Sequence, residues 1–220
     1  MKKNKWILSV VPSVILGIFG VGMLISTTSC SKNSNPPGPT PPEGSIPFTK
    51  EYFDWDENGN SLTITGLKSD LDLDAYNTLW IPPVFLDGDT QYNVTSIANN
   101  AFRDAFNNGD AYHTITNLDL TIAINLNTIG QYAFEDCSGL TGMLTIPSSV
   151  DNIGYMGFSG CVGFNIINAS TWTAIPTIGN DAFSGFNSLG GAVIVPPNPG
   201  LGITIGTFKG LPSTWIIPLV

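Results

Sequence analysis

A chain of 220 residues with a formal net charge of −9 has room for one domain with a real core, plus targeting and linker segments. Five basic residues and all 17 acidic ones follow Cys30, a net −12, so nucleic acid is not an expected partner: no basic face remains to displace counterions. Charged residues make up only 11% of the chain, and a surface built largely of Asn, Thr, Ser and Gly suits a sheet-rich extracellular domain.

Lys2, Lys3 and Lys5 precede an uncharged apolar run from Trp6 to Ile25, the pattern of an export signal. Thr27, Thr28 and Ser29 then lead into Cys30, and the arrangement resembles a bacterial lipoprotein signal. That resemblance implies a signal over residues 1–29, lipidation of Cys30 and a protein tethered to the cell membrane, facing outside. The alternative is a retained membrane helix, since roughly 20 apolar residues span a bilayer. Either way the rest of the chain is expected to work outside the cytoplasm.

Residues 30–47 carry five prolines before Ser45 and no apolar periodicity, which predicts an extended spacer. Residues 48–92 predict an N-terminal β cap. "YFDWDENGNSLTITGL" holds two alternating runs around Asn58-Gly59, a hairpin signal, and nine acidic residues fall between Glu51 and Asp89.

Over residues 93–220 one phrase repeats. Ile97 with Phe102, Ile129 with Phe134, Ile153 with Phe158 and Ile178 with Phe183 share one spacing, and Ile205 with Phe208 is a shortened copy. The Phe-to-Phe intervals are 32, 24, 25 and 25, so residues 107–113 read as an insertion in the first unit. Ile129, Ala133 and Phe134 predict a short helical turn, with Gly130 admitting the neighbouring coil. Leu144-Thr145-Ile146 predicts a strand ended by Pro147. Stacked coils would bury Ile, Phe and the phrase cysteines, Cys137 and Cys161, in continuous ladders, each Phe contributing about 1.5–3 kcal/mol.

The phrase "LNTIGQYAFEDCSGLTGMLTIPSSVDNIG" resembles the BspA-type leucine-rich repeat of bacterial surface proteins, over about residues 79–218. The resemblance implies an α/β repeat solenoid, each coil a strand plus a short helical turn. It also implies a surface protein that binds extracellular or host proteins, with adhesion as one use.

Other constellations carry less. "DWDENG" matches half of a calcium loop through Asp54, Asp56 and Asn58, but position twelve is Thr65 and an acidic hairpin is the favoured reading. Asp70, Asp72 and Asp74 alternate, so an extended segment would project all three to one side. Adjacent coils bring Cys137 and Cys161 within disulfide range, yet parallel side chains seldom point correctly, and two buried thiols are expected. His113 is the single histidine, and Ser159 in "GFSGC" reads as an exposed turn residue outside any G-x-S-x-G elbow. No enzyme and no cofactor are expected.

The strand face is the candidate site. The middle, outward residue of each strand is read as Trp80, Thr121, Thr145, Ile194 and Ile216. Threonine is ordinary there; Trp80, Ile194 and Ile216 mark either a protein-binding face or a covered one. A chain that ends just after a strand also allows self-association through its last coil.

Overall fold

The computed structural model describes residues 39–107 and 112–217. The signal segment and Cys30 lie outside the described residues. Twelve short strands and two 3-10 turns make up the described elements, and α-helix is absent among them.

The first ladder begins with a hairpin of β1 (Phe53–Asn58) and β2 (Ser61–Leu67). Asn58 pairs with Ser61, leaving a two-residue loop whose first position, Gly59, has φ 58°, a conformation that favours glycine. β4 (Val84–Asp87) and β5 (Thr90–Ile97) form a second antiparallel pair. β2 then runs parallel to β5, followed in order by β7 (Thr128–Ile129), β9 (Asn152–Ile153) and β11 (Thr177–Ile178). The register places Ile64, Ile97, Ile129, Ile153 and Ile178 on successive rungs, all buried. The repeating isoleucine thus starts one rung earlier than the sequence phrase, inside the expected cap. A boundary at residue 92 falls within β5, and one hydrophobic core runs through both parts.

The second ladder is the strand column. β3 (Thr78–Trp80) pairs in parallel with β6 (Asn117–Asp119); β8 (Gly142–Thr145), β10 (Phe164–Asn168) and β12 (Ala192–Ile194) follow. The Thr141 N–H donates to Thr116 O at 2.8 Å and joins the two groups. Leu79 pairs with Leu118, and Leu144, Ile167 and Val193 occupy successive rungs further along; all five are buried.

Between the ladders the expected helical turn is replaced by a different device. Tyr132 and Asp136 have φ 57°, as do Asp104 and Asp181, with Asn100 at 60° and Met156 at 53°. The N–H groups of Tyr132, Phe134 and Asp136 donate to the carbonyls of Tyr155, Gly157 and Ser159 in the next coil at 3.0, 2.8 and 2.7 Å. Alternating hand turns every second N–H outward, so bonds that a helix would keep within the coil tie one coil to the next. Asn and Asp tolerate this conformation better than most residues.

The Phe side chains of these turns form the predicted ladder. Phe102, Phe134, Phe158 and Phe183 stack at 5.2, 5.1 and 5.8 Å with planes within 19° of parallel. Phe208 breaks the series: it meets Phe183 edge-on at 66° and stacks instead on Trp172. Its copy of the phrase is two residues shorter, which turns the ring. Gly154 shows why the phrase keeps glycine after isoleucine: a Cβ there would lie 2.5 Å from Gln131 N and 2.6 Å from the carbonyl carbon of Gly130.

Part of the expected spacer belongs to the fold. Ser45 bridges to Thr78, Ile46 is fully buried, and its N–H donates to Thr78 O at 3.0 Å.

Candidate functional site

Parallel pairing fixes which residues of the strand column share a row. Leu144, Ile167 and Val193 point inward, so their neighbours on either side point out. One outward row is Met143, Ile166, Ala192 and Ile216, each paired with the next. The other is Thr145, Asn168 and Ile194. At ~4.8 Å per rung the first row is about 14 Å long. It contains no charge and no hydrogen-bonding side chain. Met143 is 47% exposed, Ile194 38% and Ile216 60%.

Three of the five expected face residues therefore lie on this surface, and two do not stand as read. Thr145 and Ile194 occupy the outward row where the alternation puts them. Ile216 is outward too, but its pairing with Ala192 sets it in the row of Met143. Trp80 is a correction: it is only 3% exposed. Strand alternation would turn it outward, but Ser45 bridges to Thr78 beside this rung, and Pro39, Pro47 and Phe48 line one groove with Trp80. Thr121 is the second correction. β6 pairs through Asn117, Leu118 and Asp119, so Asp119 takes the rung opposite Trp80 and Thr121 lies two residues beyond it. There the Thr121 N–H and hydroxyl both donate to Asp119 Oδ1, at 2.9 and 2.6 Å, closing a tight turn.

Thr121 and Thr145 are nevertheless brought together. With Ile124, Pro147, Ser149 and Thr171 they line a groove of about 270 Å³ beside the strand ends. Ile124 is exposed at its edge, and the Ser149 hydroxyl is held by Ala123 O at 3.2 Å. Thr145 belongs both to the second outward row and to this groove, whose lining residues carry no charge. Met143 and Ile166 escaped the sequence reading, because their outward side becomes evident only from the pairing of β8 with β10.

The remaining candidates are placed as follows. Asp54, Asp56 and Asn58 lie along the extended strand β1 and do not curl around a common centre; the Asp54 carboxylate is paired with Lys68. Among the described residues no group of three or more His, Cys, Asp or Glu could hold a metal ion. Asp70, Asp72 and Asp74 are not extended either: Asp70 has φ 60°, and Asp72 Oδ1 accepts the Asp74 N–H at 3.2 Å, so these residues bend rather than line one face. His113 is exposed in a turn. Ser159 is half-buried, its hydroxyl 2.8 Å from that of Ser184.

Cys137 and Cys161 are unbonded and fully buried. Each thiol donates to the carbonyl of the Phe one coil before it, Cys137 to Phe102 O and Cys161 to Phe134 O, both at 3.0 Å. Burial pushes the Cys137 thiol up from 9.0 to about 12, and burial likewise raises Cys161 well above that ordinary value. Neither is a nucleophile at neutral pH.

Among the described residues no helix is long and apolar enough to cross a membrane. Residues 95–208 match the model of the BspA type leucine rich repeat region in six copies. The chain is similar to a leucine-rich repeat protein from Bacteroides ovatus of known structure, at 26% identity and a TM-score of 0.51, over 70% of this chain and 38% of that one. A leucine rich cell surface protein from Faecalibacterium prausnitzii is more distant, at 18% identity and a TM-score of 0.27 over 75% of this chain and 56% of that one. A search of curated proteins finds no match. The chain spans about two fifths of the Bacteroides ovatus protein's length.

Proposed function

The chain belongs to the BspA-type leucine-rich-repeat family, and on that premise we propose that it is a protein-binding module whose contact face is the outward side of the strand column. The observation that carries this reading is the unbroken apolar row Met143, Ile166, Ala192, Ile216, flanked by Ile194. Solvent-facing strand positions ordinarily carry polar residues, and contiguous exposed apolar surface marks interaction sites. Burying the exposed part of each isoleucine against a partner contributes at most about 1.5–3 kcal/mol, so the row supplies the energy and the threonine and serine hydroxyls of the groove supply orientation.

The partner is an extracellular protein, and adhesion to a host cell or matrix is the use the family suggests. The N-terminal pattern supports attachment to the outer side of a membrane through lipidated Cys30, with the proline-rich stretch before residue 39 as a short spacer. The mechanism is complementary contact with no bond made or broken, and no cofactor enters it.

The test is binding of the whole chain, in detergent, to host cells and matrix proteins, beside the same chain carrying Met143→Asp and Ile194→Asp. Loss of binding in a variant that keeps its folded spectrum supports the face; equal binding removes it. A second reading, self-association, is favoured by the exposure of Ile216, the last rung of the row among the described residues. It predicts a mass that rises with concentration and falls back in Ile216→Asp.

A further inference from the structure

β1 stands at the end of the first ladder: it pairs with β2, and among the described residues no strand lies against its other edge. The pairing fixes which backbone groups that edge presents. Asn58 and Ser61 close the two-residue loop, and the Lys68 N–H donates to Tyr52 O at 2.9 Å, so residues 52, 54, 56 and 58 turn their backbone groups toward β2. Trp55 and Glu57 therefore turn theirs outward. The Phe53 N–H is taken by Thr49 O at 3.0 Å, whereas no backbone hydrogen bond engages Trp55 or Glu57 on this side among the described residues. A cleft of about 280 Å³ draws its walls from both faces of β1, Asp54 on one and Phe53, Trp55 and Glu57 on the other, together with Lys50 and Lys68. No residue of β2 lines it, which sets it at the open edge.

Two of the strand's three carboxylates are paired, Asp54 with Lys68 and Glu57 with Lys50 at 3.6 Å. Asp56 is exposed and makes no ion pair among the described residues. From Glu51 to Asp89 the sequence sets nine acidic residues against Lys68 alone.

We propose that the β1 edge is a docking site separate from the strand column, which takes up an extended segment of a partner protein as an added antiparallel strand. The segment carries a lysine or arginine opposite Asp56 and an apolar side chain against Trp55. Outward N–H and C=O groups at alternate residues are satisfied together only by a paired strand. With Trp55 and Glu57 exchanging hydrogen bonds, the residue opposite Asp56 falls in a non-hydrogen-bonded pair, where side chains come closest and opposite charges attract. Trp55 supplies the apolar shelf: it is half-buried, stacked on Phe48 at 5.5 Å and tilted against Phe85 at 4.6 Å, so its ring is held in place.

A second copy of this chain does not fit. Pairing β1 with itself about a two-fold axis sets Asp56 opposite Asp56, Asp56 opposite Asp54 or Glu57 opposite Glu57, and like charges so placed repel. Charged side chains are the ordinary defence of an exposed edge; here they turn away acidic strands, and the same field draws a basic one.

The test is titration of the full chain in detergent with the end-blocked peptide TKVKVKT and with its counterpart TEVEVET, read by the amide resonances of β1 and their exchange with solvent. The lysine peptide alone should bind saturably, slowing the Trp55 and Glu57 amides about tenfold or more while leaving those of Asp54 and Asp56, already bonded to β2, unchanged. Asp56→Lys should weaken that binding about fivefold. Glu57→Pro, which removes an N–H that β2 does not use, should weaken it about tenfold, against less than about threefold for Glu57→Gln, which removes only the charge. Should the proline variant not fold, the slowed exchange in the wild type decides. Equal binding of the two peptides, no saturation at millimolar lysine peptide, equal losses in Glu57→Pro and Glu57→Gln, or Trp55 and Glu57 amides already protected in the free chain would each overturn the proposal. The edge belongs to the other ladder, so this result stands apart from that for Met143 and Ile194.

Discussion

The rings of Phe134 and Phe158 lie one on the other, centroids 5.1 Å apart and planes within 1°. Phe183 continues the stack from the far side of Phe158 at 5.8 Å, so Phe158 is sandwiched. Phe158→Ala leaves a gap that neighbouring rings, held by backbone bonds from coil to coil, fill poorly. A loss of about 3–5 kcal/mol in urea unfolding is expected. A loss under about 1 kcal/mol would mean that the ladder does not hold the coils together.

Gly154 answers for the backbone what Phe158 answers for the core. Because a Cβ there meets main-chain atoms at 2.5 and 2.6 Å, Gly154→Ala forces adjacent coils apart. Destabilisation of at least about 1–3 kcal/mol is expected, against less than about 0.5 kcal/mol for exposed Gln131→Ala. Thermal unfolding of the two variants side by side checks the contrast.

The buried thiols give a pH dependence with a definite sign. The Cys137 pKa rises from 9.0 to about 12 on folding, so between those values the folded state holds a proton that the unfolded chain has lost. The stability tied to that proton is fully present below pH 9 and is lost as pH climbs toward 12. Native protein at pH 8 should resist iodoacetamide at both Cys137 and Cys161, and denaturant should expose both. Rapid labelling of the native protein at either position would contradict the buried placement.

The ladders were legible because identical rungs need identical side chains: Ile97, Ile129, Ile153 and Ile178 announce one column, and the Phe series another. What pairing alone decides was not legible. Nothing local in "LWIP" says that Ser45 will bridge to Thr78 beside Trp80, nor does "LDLTIA" reveal that Asp119, and not Thr121, takes the rung. The helical reading of the turn rested on spacing that the observed turn shares. Asp104, Asp136 and Asp181, recurring at positions that need positive φ, were the signal against it. Ile64 went unrecognised because its phrase lacks the Phe.

Trp80 and Ile194 now separate cleanly by experiment. Trp80→Asp buries a charge without a partner in the first rung and should unfold the chain or cost several kcal/mol. Ile194→Asp, on exposed surface, should shift the unfolding midpoint by no more than a degree or two. Similar melting temperatures for the two variants would return Trp80 to the surface.

The central claim, that the outward side of the strand column touches the partner, is tested most directly by placing a photo-crosslinking side chain at position 194 and, separately, at exposed position 131 on the turn ladder, then illuminating each full-length chain on partner-bearing cells. The account predicts a crosslinked product from position 194 and none from position 131. A product from position 131 alone, or equal products from both, would contradict it.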